Sequence, residues 1–364
     1  MPLSGEEAYN KKLTVRPARL WERVTLSGRS LARCLVCERR CVLGESVEAY
    51  CRNRVMKEGR LYVTTYGLLS AVESRPIEIK PLFHYWPGST ALTFSGWGCN
   101  FRCPWCQNYH LSWSRPRPQL SIYMEPWELA EYARKLGDEG ICASFNEPLI
   151  HFEYVVDAAI EARKRGLYAT MVTNGYMTFK ALKELIEAGI DGYSIDIKGC
   201  PETYRRFLAA NPEYVYRNAK KLIDMGAHVE MVFLVIPGAN DGEDCIEWVI
   251  GKHLDLLGPD IPLHVNRYYP ANRYHEPPTS IEKLLSVYRK ARKEGIEYVY
   301  IGNTPYEEYE YTRCPRCGKI LVRRSGYTVV EYNLTSDGRC PRCGYKINMR
   351  GRPVLKVPRW TSIF

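Results

Sequence analysis

Three cysteines, Cys99, Cys103 and Cys106, sit in the run Gly98-Cys99-Asn100-Phe101-Arg102-Cys103-Pro104-Trp105-Cys106. Thiolates at this spacing can close around one face of an iron–sulfur cube, whose irons are held by cysteine. No fourth cysteine follows nearby, so a [4Fe-4S] cluster held here keeps one iron without a protein ligand, much as a catalytic metal site keeps one position open. A zinc knuckle is the plainer use of a lone CxxC. The full spacing, directly after the strand-like run Thr90-Ala91-Leu92-Thr93-Phe94, argues against it.

The other cysteines form two further sets. Cys314-Pro-Arg-Cys317-Gly and Cys340-Pro-Arg-Cys343-Gly are a pair of knuckles around a β-rich stretch, which predicts a four-cysteine zinc ribbon. Cys34-x2-Cys37-x3-Cys41-x9-Cys51 also offers four ligands, and its spacing suits structural zinc or an auxiliary [4Fe-4S] cluster equally. There are 14 cysteines in all, clustered as CxxC pairs without a secretion signal, which points to metal ligation in a reducing cytoplasm rather than to disulfides. An open cluster further implies a low-oxygen setting. Cys142, Cys200 and Cys245 read as small buried apolar residues. No apolar run has the length of a membrane span. The net charge of +10 is more simply a solvated basic surface than a nucleic-acid footprint.

The chain divides by pattern into an N-terminal Cys-rich metal-binding module (1–58), a connecting β segment (59–87), a β/α region (88–305), the zinc ribbon (306–350) and a C-terminal tail (351–364). Within the β/α region, strands are expected at 91–94, 141–145, 168–173, 192–197, 228–235, 263–266 and 298–301, with amphipathic helices between them. Repeated units of this length imply right-handed crossovers and parallel strands. About six of them suit a partial (β/α)6 TIM-like barrel, although periodicity leaves an open doubly wound sheet as the alternative. Polar residues recur at the strand ends, in Asn146-Glu147, Thr173-Asn174-Gly175, Asp196-Ile197-Lys198 and Asn266-Arg267, where such folds collect their reactive groups. Of the scattered histidines only His264, on a strand near that rim, is a candidate for the site; the others read as packed or surface residues.

The three-cysteine motif, with an aromatic residue before its third cysteine, resembles the radical S-adenosylmethionine (SAM) superfamily. That resemblance implies a cluster whose open iron chelates SAM, reductive cleavage of the sulfonium, and a 5′-deoxyadenosyl radical that takes hydrogen from a substrate. It assigns Glu147 to the SAM ammonium, although Phe145-Asn146-Glu147-Pro148 stands where the superfamily carries a Gly-Gly-Glu type run. Asn174, Asp196 and Lys198 are assigned to ribose and carboxylate, and the Trp105 backbone to adenine. Asp196-Ile197-Lys198 is similar to the Asp-Leu-Lys of glycyl-radical-enzyme activases. Lys80-Pro81-Leu82-Phe83-His84-Tyr85-Trp86-Pro87, the cysteine run, Val172-Thr173-Asn174-Gly175-Tyr176-Met177, Ile236-Pro237-Gly238 and the terminal knuckles together resemble the radical SAM enzymes of the AmmeMemoRadiSam system, relatives of pyruvate formate-lyase activating enzymes. This resemblance implies a low-potential ferredoxin or flavodoxin as electron donor and a companion protein of the Memo family. The substrate is not legible. An adaptor for protein or nucleic acid that uses its metals only structurally is the competing class.

Overall fold

The computed structural model describes residues 3–356 together with Thr361 and Ser362; the rest of the expected C-terminal tail lies outside the described residues. The chain divides into two compact units, one of residues up to 74 with 91–191 and Thr361–Ser362, the other of residues 75–90 with 192–356.

In the first unit, β1 (Thr90–Ser95), β2 (Gly140–Ala143) and β3 (Tyr168–Thr173) pair in parallel and in chain order. All six residues of β1 and all four of β2 are buried, as expected of parallel strands covered on both faces. Three helices accompany them: α1 (Pro126–Leu136), α2 (Phe152–Lys164) and α3 (Phe179–Ala188). Each start has a local cause. Glu125 and Glu128 form a reciprocal capping box ahead of α1, with Pro126 in the first turn, and the Thr178 hydroxyl accepts from the Ala181 amide to cap α3.

The N-terminal residues of this unit build two small antiparallel sheets. One joins Trp21–Leu26, Arg29–Cys34 and Val42–Leu43; the other joins Arg16–Pro17, Arg60–Val63 and Arg54–Lys57. They are fixed to α2 by a buried bidentate pair, in which Arg54 donates to both carboxylate oxygens of Glu153 at 2.8 and 2.7 Å. The Arg19 amide adds a third bond to Glu153, at 3.0 Å. Burial raises the cost of the Glu153 charge, yet Arg54 holds its carboxyl below the usual range.

In the second unit, β4 (Ile190–Ile197), β5 (His228–Val235), β6 (Leu263–Arg267) and β7 (Val299–Gly302) are again parallel and in chain order. Helices α4 (Glu213–Asp224), α5 (Glu243–Leu256) and α6 (Ile281–Glu294) lie between them in sequence. A three-stranded antiparallel sheet follows, made of Thr312–Arg313, Ile320–Ser325 and Thr328–Tyr332. The seven strands expected from periodicity are all present.

His264 departs from expectation. It is buried and hydrogen-bonded to Glu230 at 2.7 Å, beside the His228–Glu230 contact at 2.9 Å, and it stacks on Tyr300. A polar group on an inward strand position needs an internal partner, and Glu230 supplies it, so His264 belongs to the core. Cys200 and Cys245 are not isolated either, since the Cys200 amide donates to the Cys245 sulfur at 3.0 Å.

Candidate active site

The cysteine run leaves the carboxyl end of β1 through Gly96, Trp97 and Gly98. A Cβ at Gly96 would lie 1.8 Å from the His151 ring, so only glycine lets the backbone pass there. This closeness allows the Trp97 amide to donate to His151 Nε2 at 3.0 Å. Asn146, after β2, donates from Nδ2 to the carbonyls of both Gly96 and Gly98, at 2.9 and 2.8 Å. Arg102 folds back inside the loop and donates to the carbonyls of Cys99, Phe101 and Ser112 at 2.8 to 3.0 Å. The main-chain acceptors of a turning loop are thereby satisfied from several directions.

The three thiols are half-buried and in no disulfide. The Phe101 amide points at the Cys99 sulfur at 3.3 Å, and Cys106 meets the Ser112 hydroxyl at 3.1 Å. Burial, followed by the nearby negative charge of Glu147 and the two sister thiols, pushes the Cys99 thiol well above its ordinary value. A cationic centre would reverse that penalty, because metal binding draws the proton off a coordinating thiol. Among the described residues, no three sulfurs of this loop come as close together as the ribbon sulfurs described below, which lie within 4.8 Å of one another.

Glu147 is buried and fixed. It accepts from the Leu149 amide and the Thr173 hydroxyl on one oxygen, at 3.2 and 2.8 Å, and from the Asn174 amide on the other, at 2.8 Å. Asn174 donates to Asn100 Oδ1 at 2.6 Å, which links the end of β3 to the residue after Cys99. Trp105 is buried as well. Cys99, Glu147 and Asn174 therefore belong to one neighbourhood of the first unit. Asp196 and Lys198, at the carboxyl end of β4 in the second unit, form an ion pair of 2.7 Å. Sequence reasoning gave no role to Asn100 or Arg102, placed Asn146 at a strand end without naming its partners, and left His151 as a packed or surface residue. Their roles rest on contacts that no local spacing announces.

Residues 95–249 match the Radical SAM superfamily. This stretch of the chain is a radical SAM domain. It is 37% identical to the uncharacterized protein MJ0808 of Methanocaldococcus jannaschii, over 87% of this chain and 95% of that one. It is 24% identical to the pyruvate formate-lyase 1-activating enzyme of Escherichia coli, over 58% of this chain and 87% of the enzyme. Streptococcus suis SuiB bound to S-adenosylmethionine aligns with a TM-score of 0.47 and 12% identity, over 61% of this chain and 52% of that one. A radical SAM domain implies a [4Fe-4S] cluster and SAM, and the half-buried, disulfide-free thiols of Cys99, Cys103 and Cys106 fit the cluster.

Among the described residues, the four thiols of the two C-terminal knuckles form a compact ligand set. All four sulfurs lie within 4.8 Å of one another, with Cys314–Cys343 at 3.5 Å and Cys317–Cys340 at 3.6 Å. The two turns are built alike: the Gly318 amide donates to Cys314 O and the Gly344 amide to Cys340 O, both at 2.9 Å. Burial opposes ionisation of Cys340, but the Arg342 and Cys343 amides and neighbouring thiols bring it down to about 6. No helix among the described residues is long and apolar enough to cross a membrane.

Proposed function

We propose that this radical SAM protein is an enzyme that cleaves SAM reductively and abstracts hydrogen from a substrate still to be identified. The reading rests on one observation. Cys99, Cys103 and Cys106 share a loop whose backbone is held by Asn146, His151 and Arg102, so the three thiols are presented without help from the ligand. Cys99, Cys103 and Cys106 would hold a [4Fe-4S] cluster, which would supply the electron for reductive cleavage of SAM.

The chain's own groups then have distinct tasks. Glu147 accepts from the SAM ammonium, its carboxylate already oriented by Thr173 and the Asn174 amide. Asn174 offers its side chain to the ribose, and the Trp105 backbone meets adenine. The β/α framework is read as the partial barrel of this superfamily. An acidic, low-potential donor of the ferredoxin or flavodoxin class provides the electron, and a Memo-type protein is the proposed companion in the cytoplasm.

Zinc is proposed at Cys314, Cys317, Cys340 and Cys343. Four sulfurs at about 2.3 Å from one tetrahedral ion stand about 3.8 Å apart, close to the 3.5 and 3.6 Å contacts found. Likeness to the pyruvate formate-lyase activating enzyme and to a putative glycyl-radical enzyme activating enzyme of Methanocaldococcus jannaschii favours a second reading, in which the hydrogen comes from a protein glycine.

The deciding experiment is chemical. Reconstituted protein, reduced anaerobically and given SAM, is expected to release 5′-deoxyadenosine, and Cys103→Ala to release none. A wild-type protein with a full cluster and no product would favour the adaptor class.

A further inference from the structure

The N-terminal thiols are arranged differently from those of the ribbon. Cys34 ends a strand and Cys41 lies just before the next, so the Cys34 amide donates to the Cys41 carbonyl at 2.9 Å. Cys51 sits in the turn leading to Arg54, where Asn53 Nδ2 donates to its carbonyl at 2.9 Å. Cys34, Cys37, Cys41 and Cys51 all line one partly open void, whose remaining wall includes Val36, Leu149, Ile150, Arg39 and Arg54. Among the described residues, no three of these sulfurs lie within 4.8 Å of one another, whereas the four ribbon sulfurs do. One tetrahedral zinc holds its sulfurs about 3.8 Å apart with no space between them. Four thiols spread around a void match a larger guest, with one thiol for each corner iron.

The void has one further feature. Asn100 lines it and is 1% exposed, and its side-chain nitrogen has no hydrogen-bond partner. A buried donor left unpaired is costly unless something accepts from it, and the sulfides of a cluster are acceptors.

The same residues adjoin the Cys99 loop. A Cβ on Gly98, whose φ is +92°, would fall 2.4 Å from the Cys51 carbonyl oxygen. Glycine there permits both the turn and the close approach. The residue before Cys99 thus packs on Cys51, and the residue after it lines the void. Arg39 Nε also donates to the Asn100 carbonyl at 2.8 Å, tying the two segments together.

We propose that Cys34, Cys37, Cys41 and Cys51 bind a second, fully ligated [4Fe-4S] cluster that passes electrons to the cluster at Cys99. One electron from a donor of the ferredoxin or flavodoxin class reduces the second cluster by one unit and moves on unchanged; no bond is made or broken at the four cysteines. The relay rests on the function proposed above, but the second cluster does not.

The test uses the full chain, prepared anaerobically, with Cys99, Cys103 and Cys106 all replaced by alanine. That variant is expected to keep about four irons and four sulfides per chain, alongside about one zinc, and the wild type about eight irons. About two zincs and no iron in the variant, or one zinc and no iron, would overturn the second cluster. A wild type that keeps about four irons in that case would leave the Cys99 reading intact. Conversely, equal iron in the two proteins would sink the Cys99 reading alone. Cys37→Ser, which leaves the Cys99 loop whole, is the second variant, expected to lose about four of the eight irons and no zinc. For the relay, electron paramagnetic resonance of the reduced proteins is decisive: a signal sharp in the alanine variant should broaden in the wild type through spin–spin coupling. Two wild-type signals that simply add, without broadening, would overturn the relay.

Discussion

Around Cys99 the loop is held by Arg102 and Arg39 together with uncharged groups: two amide side chains, Asn146 and Asn53, and one imidazole. His151 can accept from Trp97 through Nε2 only while that nitrogen carries no proton. Burial, reinforced by the Arg54 charge and opposed by Glu153, lowers its pKa to about 4. The sign follows from where the proton binds. Between about 6.5, the ordinary value, and about 4, the unfolded chain takes up a proton that the folded chain refuses. The stability that neutral His151 contributes is therefore complete above pH 6.5, falls by up to ~1.4 kcal/mol per pH unit on acidification, and is gone below pH 4. His151→Gln retains an acceptor but does not titrate. Urea midpoints measured from pH 7 to pH 4.5 should show the wild type ahead at neutral pH and the gap closing with acid. His84 and His253 are also lowered by burial, to about 3 and about 4, but they are common to both proteins and cancel in the difference. A gap constant across the range would refute the neutral-acceptor role.

At the scale of elements, the N-terminal strands depend on α2 through Arg54 and Glu153, side chains 1% and 3% exposed. A buried pair is weak evidence of net stabilisation, but removing one partner strands the other charge. Arg54→Met should therefore cost about 3–5 kcal/mol in denaturant titrations, and Arg54→Met with Glu153→Leu should recover much of it. A single variant as stable as the wild type would show that Glu153 finds water or another cation. This pair also marks the boundary of what the sequence made legible. Strands such as Tyr168–Thr173 and His228–Val235 appear where their apolar runs predicted, because burial on both faces writes a local pattern. Arg54 and Glu153 are 99 residues apart, and Asn146 is 48 from Gly98. Partners at that separation leave no periodic trace. His264 misled for a related reason: its strand position was legible, but the Glu230 that neutralises its burial lies on another strand. The cysteine sets were legible because metal chemistry fixes spacing within the chain itself.

For the molecule as a whole, eleven of the fourteen cysteines fall into sets of four, three and four, each anchored by a different means, and none of the fourteen is in a disulfide. A module as small as the ribbon has little core of its own, and its metal would ordinarily replace one. This ribbon also has a second hold. Arg324, on the strand Ile320–Ser325, is buried, sits 4.0 Å over the Phe83 ring and donates to the Phe83 carbonyl at 2.7 Å. Leu321 packs in the same cluster as Phe83 and Tyr300. The knuckles have weaker holds of their own: Tyr345 donates to both Glu297 carboxylate oxygens at 2.8 and 3.0 Å, and Cys314 and Cys340 pack in the cluster that holds Leu321. Loss of the metal should still loosen the knuckle turns more than the strand. Cys340→Ser is expected to remove about one zinc per chain and to speed hydrogen exchange in peptides covering 314–319 and 340–345. Exchange across 320–325 should stay slow, because those amides belong to a sheet fixed by Arg324. Unchanged exchange at the knuckles would mean that zinc does not hold them. Uniformly fast exchange across all three segments would mean that the metal is the module's core and that the Arg324 anchor contributes little.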